Sequence, residues 1–196
     1  MGDSLSLSGF MLGTMQNFGP AETFFDPWYY ASNVTAYKGG VGGTKCSDTL
    51  AAFPTTYAAI AGLKPAPPLT AFSITCGQND YVGGRTEAAA YADILSLVTL
   101  AQAKGMSVIV DTIMDSIVTD TGAGATWRNN LNTLIRNGAA GAGYVVADAG
   151  ADATLGCTGC YLNATYFNAD GIHLVTPGWA IKGGLDAARL TGFGFN

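Results

Sequence analysis

The chain contains one histidine, His173. Imidazole is the side chain whose ordinary titration lies nearest neutrality, so any Ser-His mechanism in this protein must use His173 as its base. Asp170 stands three residues earlier, within reach of the ring across one turn. It can accept the Nδ1–H bond and stabilise the imidazolium that forms. Ser4 lies in the run Gly2-Asp3-Ser4-Leu5. There a glycine leaves room for a tight turn, and the amides after the serine suit the start of a helix, where negative charge is favoured. The same four residues also suit a helix N-cap near a chain end. Asn79, in Gly77-Gln78-Asn79-Asp80, offers a side-chain amide to a developing oxyanion. A donor of that kind is worth about 10²–10³ in turnover, or roughly 3–4 kcal/mol. The competing reading of this run is a strand-ending turn. Together these residue types can perform acyl transfer through a serine nucleophile.

Other chemistries fit less well. The glycine run at 39–43 continues as Thr44-Lys45 rather than Lys-Thr, so it is not a phosphate loop, and Lys45 breaks a dinucleotide fingerprint begun at Gly40. It is either a loop whose amide faces an anion or a plain turn. Cys157-Thr158-Gly159-Cys160 reads as a redox pair, half a zinc site or a small disulfide. Its place inside a loop favours a local disulfide in an oxidising compartment. Cys46 and Cys76 give no sign of converging with it. Asp111 and Asp115 flank a strand end without partners for a metal site.

These residues need a scaffold. Ser6 to Leu12 reads as a short helix and Asn33 to Lys38 as a strand. A helix capped by Ser47 follows, interrupted or kinked at Pro54. Residues 17–32 are aromatic and irregular, either a binding wall or a satellite core under a long loop. Lys64 to Pro68 is a connector. Leu69 to Cys76 is an apolar strand, and Arg85 to Lys104 a long helix closed by Gly105. Met106 to Val110 and Tyr144 to Ala147 are further strands. Between them, Thr126 to Arg136 is amphipathic, with Trp127, Leu131, Leu134 and Ile135 on one side. Thr176-Pro177 opens a last helix. Strands alternating with helices predict parallel pairing in a doubly wound α/β sheet forming a single domain, residues 1–196. Ligands then bind outside the carboxyl ends of the strands, where Ser4, Gly43, Asn79, Asp170 and His173 all fall.

A net charge of −5 with only nine scattered Lys and Arg argues against nucleic acid as a partner. No run is long and apolar enough for a membrane span, and no leader is visible before Gly2. Charged residues are 12% of the chain, about half the usual share. With four cysteines, this leans towards an extracellular or particle-associated setting.

In combination, Gly2-Asp3-Ser4-Leu5, Gly40-Val41-Gly42-Gly43-Thr44, Gly77-Gln78-Asn79-Asp80 and Asp170-Gly171-Ile172-His173 resemble the four ordered blocks of the GDSL, or SGNH, hydrolase family. The resemblance implies a three-layer, flavodoxin-like fold with sheet order 2-1-3-4-5. It implies ester hydrolysis without metal or organic cofactor, with Ser4, Asp170 and His173 catalytic. The oxyanion hole would be the Ser4 amide, the Gly43 amide (Gly42 as fallback) and the Asn79 side chain. Implied substrates are small acyl esters, above all O-acetyl groups on carbohydrate. Lipid or thioester hydrolysis and a catalytically silent carbohydrate-binding or structural domain are the alternatives. One departure stands out: the family's central strand precedes the serine block, and here only Met1 precedes Gly2. About five buried apolar side chains at roughly 1.5–3 kcal/mol each would be missing, comparable with the stability of a whole domain. Either the domain is cut from a longer chain, or four strands close up, or, as we expect, the place is filled by Thr191 to Phe195, by a neighbouring subunit or by another segment.

Overall fold

The computed structural model describes residues 9–11, 36–38, 41–62 and 71–193. The serine block, the aromatic segment 17–32 and the connector Lys64 to Pro68 lie outside the described residues. Five strands form one sheet: β1 (Gly9–Met11), β2 (Ala36–Lys38), β3 (Ala71–Ile74), β4 (Ser107–Asp111) and β5 (Val145–Ala147). Their order is β2-β1-β3-β4-β5. Helices α1 (Cys46–Ala61), α2 (Gln78–Val82), α3 (Glu87–Gln102), α4 (Gly122–Ala142) and α5 (Thr176–Gly192) connect or follow them. This is the expected doubly wound arrangement, and among the described residues no helix is long and apolar enough to cross a membrane.

The place between β2 and β3 is occupied, as expected, and by another segment of this chain. Gly9–Met11 enters it, pairing Phe10 with Tyr37 on one side and with Phe72 on the other. A strand therefore forms where a helix is expected over Ser6 to Leu12. Thr191 is instead the penultimate residue of α5. Both pairings of β1 are antiparallel, whereas β3–β4 and β4–β5 are parallel. The expectation of parallel pairing throughout fails here because the chain reaches this place from the other end. The backbone groups of two neighbouring strands need partners whichever direction supplies them.

Alternation along β3 and β4 divides the core into two. Phe72, Ile74, Val108 and Val110 meet α1, α3 and α4 through Phe53, Ile94, Leu97, Leu131 and Ile135 in one large apolar cluster. Ala71 and Ile109 face the other way, onto Leu190, Leu185 and Trp179 of α5. Helices on both faces of the sheet make the three layers. A satellite cluster of Met114, Leu155, Phe167 and Leu174 lies under the loop before α5.

Helix α1 begins after Lys45, not Ser47, because the Asp48 carboxylate accepts from the Lys45 amide at 3.0 Å. It runs through Pro54, which is exposed, while Phe53 and Ile60 hold the helix to the core. Gly77-Gln78-Asn79-Asp80 opens α2 rather than forming a plain turn. Gly77 has φ +137°, and a Cβ there would stand 2.8 Å from Leu131 Cδ2. Only glycine fits this junction.

Candidate active site

The Asp170–His173 block is built on a narrow loop. Phe167 and Leu174 bridge its base, the Asn168 amide donates to the His173 carbonyl at 2.7 Å, and the Val175 amide donates to Tyr166 at 2.9 Å. The apolar anchors Phe167 and Leu174 are buried in the satellite cluster. At the tip, Asp170 Oδ1 accepts the amides of Ile172 and His173 at 2.8 and 2.9 Å. Its Oδ2 stands 2.7 Å from His173 Nδ1. What burial Asp170 has pushes its pKa up. The His173 amide, the His173 ring and the Ile172 amide outweigh this and hold the carboxyl below its usual value. An ionised Asp170 accepts Nδ1–H, so Nε2 carries the basic lone pair of the ring. The side chains are 37% and 46% exposed, which leaves the imidazole open to a reactant. Gly171, at φ +66°, is forced: a Cβ would stand 2.9 Å from Tyr161 Cδ2 and 3.1 Å from Ile117 Cβ.

A second cluster joins the glycine run to Asn79. The Asn79 amide donates to the Thr44 carbonyl at 3.1 Å. A disulfide joins Cys46 to Cys76, with Cα atoms 5.3 Å apart. The buried Asp80 carboxylate accepts the Cys46 amide at 2.8 Å and the Arg85 guanidinium at 2.5 Å. Burial raises the pKa of Asp80, and these two partners work against it. Arg85 is held in turn by Asp93 at 2.6 Å. Three links thus fix residues 44–46 against 76–80, and Gly43, exposed and at φ +79°, leads directly into them. Gly42 lies in the same turn.

The segment after β4 couples the two clusters. Gln78, beside Asn79, donates to buried Ser116, and Ser116 bonds Thr119 at 2.7 Å. The Ile117 amide donates to the Gly171 carbonyl at 2.9 Å. Asp115 is ion-paired with buried Arg128 and accepts the Tyr161 amide at 3.3 Å. Asp111 and Asp115 therefore do have partners, but they are the cations Lys182 and Arg128. Among the described residues no group of three acidic, histidine or cysteine side chains could hold a metal. Cys157 and Cys160 form the local disulfide.

Asp170 and His173 are thus brought into contact, Gly43 and Asn79 are brought into one neighbourhood, and one segment connects the pairs. Ser4 lies outside the described residues. Sequence reasoning missed Asp80, Arg85, Ser116 and the Cys46–Cys76 link. Asp80 carried a weak signal, as an acidic residue beside Asn79 in an otherwise sparsely charged chain. Beside the His173 loop is a concavity of about 250 Å³ lined by Ile117, Tyr161, Leu162, Phe167, Asn168 and Gly171. Its rim residues Ile117 and Leu162 are 55% and 72% exposed, unusual for large apolar side chains in a chain with so large a core.

No protein-family model matches this chain, and no curated protein sequence does. Solved structures do. A lipolytic protein of the G-D-S-L family from Veillonella parvula superposes with TM-score 0.70 at 17% identity, covering 97% of this chain and 95% of the other. A single-site variant of an acetyl-xylooligosaccharide esterase from Geobacillus Stearmophilus gives TM-score 0.69 at 14% identity, covering 96% and 91%. A GDSL-like lipase from Bacteroides thetaiotaomicron gives 0.65 at 18%, covering 87% and 80%. The chain has the three-layer fold of these SGNH-type hydrolases.

Proposed function

We propose that this protein is a serine ester hydrolase of SGNH type. The observation that carries the reading is the Asp170–His173 pair, 2.7 Å apart and open to solvent, with Nε2 left as the base. Ser4 attacks the ester carbonyl while His173 Nε2 takes its proton. The carbonyl oxygen becomes an oxyanion held by the Ser4 amide, the Gly43 amide and the Asn79 side chain. Collapse returns the proton to the leaving alcohol and leaves an acyl-enzyme. His173 then deprotonates a water that releases the acid and frees Ser4. The links from residues 76–80 to 44–46 serve this step by holding two donors in place before substrate arrives. Preorganised donors cost no rearrangement during reaction.

Within that class we propose small acyl esters, with O-acetyl groups on carbohydrate as natural substrate. An acetyl-xylooligosaccharide esterase among the similar folds supports this choice. A second reading has one observation in its favour. The concavity beside the His173 loop, rimmed by Ile117 and Leu162, suits an apolar acyl or alcohol group, as in a lipid or thioester substrate.

The deciding experiment traps the nucleophile. A fluorophosphonate should label the wild type at Ser4, located by peptide mapping, and label neither Ser4→Ala nor His173→Ala. Hydrolysis of nitrophenyl acetate should be lost in both variants. Equal rates in wild type and Ser4→Ala would overturn the assignment, and rates no higher than those of buffer alone would leave a catalytically silent domain. Rates on acetylated oligosaccharide against nitrophenyl octanoate then separate the two substrate readings.

A further inference from the structure

The described residues include a buried group of three charges that the proposed reaction does not use. Lys182, in α5, is 1% exposed. Its ammonium donates to Asp111 of β4 and, at 3.1 Å, to Thr75 Oγ1 at the end of β3. It stands 3.6 Å from Asp186 Oδ2, one turn further along α5. Ser73 Oγ of β3 donates to Asp186 Oδ1 at 3.2 Å, and Thr75 donates to Asp111. Two carboxyl groups thus face one cation out of contact with water. With both ionised the group would carry a net negative charge where nothing solvates it.

Two atoms point to how this is resolved. Asp111 Oδ1 and Asp186 Oδ2 are both buried, and neither meets a hydrogen-bond donor. They belong to the two carboxyl groups that share Lys182. One proton between them would satisfy both oxygens and cancel the surplus charge. We propose that Asp111 and Asp186 share one proton beside Lys182, and that this neutral buried clamp positions α5, and with it the His173 loop, against the carboxyl ends of β3 and β4.

The placement of the partners gives the clamp its reach. Thr75 is just ahead of Cys76 and Gly77, which lead into Asn79. Asp111 leads directly into the segment that carries Ser116 and Ile117. Helix α5 starts at Thr176, immediately after the His173 loop. Each partner therefore sits at the root of an element that carries part of the candidate site. The charged groups acting on Asp186 are Asp111 from β4 and Lys182 from α5, while β3 adds only hydroxyls. Burial is the largest influence on Asp186. With the neighbouring Asp111 it raises the carboxyl from its ordinary 3.8 to about 7, against the pull of Lys182. In the window between those values the folded chain keeps a proton that the unfolded chain has released. Stability from this group is therefore full below the lower value, falls as pH rises across the window and is level above it.

The test is a pH titration of the intact protein labelled with ¹³C at aspartate Cγ. One buried aspartate resonance should titrate near neutrality in the wild type and vanish from that range in Asp186→Asn. Titration of Asp186 in the ordinary aspartate range would overturn the shared proton. A kinetic arm, which rests on the esterase reading, tests positioning. Asp186→Ala should lower kcat on nitrophenyl acetate about tenfold with KM nearly unchanged, as expected for displaced catalytic groups. Asp186→Asn should recover most of that loss, because its amide can donate to Asp111 and accept from Ser73. Its urea midpoint should also lose the wild-type fall between about pH 4 and pH 7. Unchanged kcat in Asp186→Ala, or no recovery in Asp186→Asn, would overturn the positioning role. Should the alanine variant not fold, the asparagine variant and the titration still decide. A wild type without esterase activity would sink the esterase reading alone, since the titration needs no substrate.

Discussion

The two faces of the sheet are made by alternate residues of the same short strands, yet they hold the molecule together in different ways. Towards α1, α3 and α4 the strands present Phe72, Ile74, Val108 and Val110, which pack into one large apolar cluster. Towards α5 they present Ala71, Ser73, Thr75, Ile109 and Asp111, and the contact combines a small apolar patch with the Lys182 cluster. Apolar burial is non-directional, so the first face tolerates small shifts of its helices. Buried charges must meet named atoms, so the second face fixes one position. The helix held this way is the one that follows the His173 loop. The face that is weaker in apolar contact is the one that locates the proposed base.

Removing one member from each face separates the two modes most strongly. Phe72→Ala should cost about 3–5 kcal/mol with little dependence on pH. Lys182→Met, which leaves two buried carboxyl groups without their cation, should cost about 3–5 kcal/mol near neutrality and less at low pH, where both are protonated. Urea denaturation across the pH range reads both, and a parallel response of the two variants would erase the distinction. The next effect is smaller. Replacing Cys46 and Cys76 by serine should cost about 2–4 kcal/mol. It should also lower kcat more than replacing Cys157 and Cys160, because only the first disulfide ties the Gly43 turn to the Asn79 helix. Matched denaturation and nitrophenyl acetate assays decide it.

The smallest effects lie with single hydroxyls. Tyr91→Phe removes a 3.2 Å contact with Tyr144, and Ser73→Ala removes the 3.2 Å bond to Asp186. Each should cost about 1 kcal/mol. Only the Ser73→Ala loss should grow as pH rises, because its bond favours the ionised carboxylate. A pH-independent loss at Ser73 would count against the picture of an α5 face governed by charge.

Much of the candidate site can be read from the sequence. His173 has no rival as a base because it is the only histidine, and the three-residue step to Asp170 is short enough for one turn to close. Gly77 and Gly171 were visible as glycines, but the reason each must be glycine lies in Leu131, Tyr161 and Ile117, far away in the chain. Asp80 stood next to Asn79 in plain view. Its task, holding the first amide of α1, depends on a residue 34 positions earlier. Lys182 and Asp186 stand four residues apart, a spacing common to charged pairs on helices, and a sequence shows the spacing of charges and not their burial.

The amino-acid sequence by itself determined the residue types of the candidate site, their order, and the alternation of strands and helices that makes the sheet doubly wound. These are local facts: spacing, turn chemistry and period decide them within a few residues. Tertiary structure decided that Gly9–Met11 enters the sheet between β2 and β3, running against both. Three residues carry too little pattern to announce a strand, and the gap they fill exists only once β2 and β3 are in place. It also decided that Lys182 meets Asp111 across 71 positions. A buried charge is tolerable only where folding supplies its partner, and no local rule of the chain names that partner in advance.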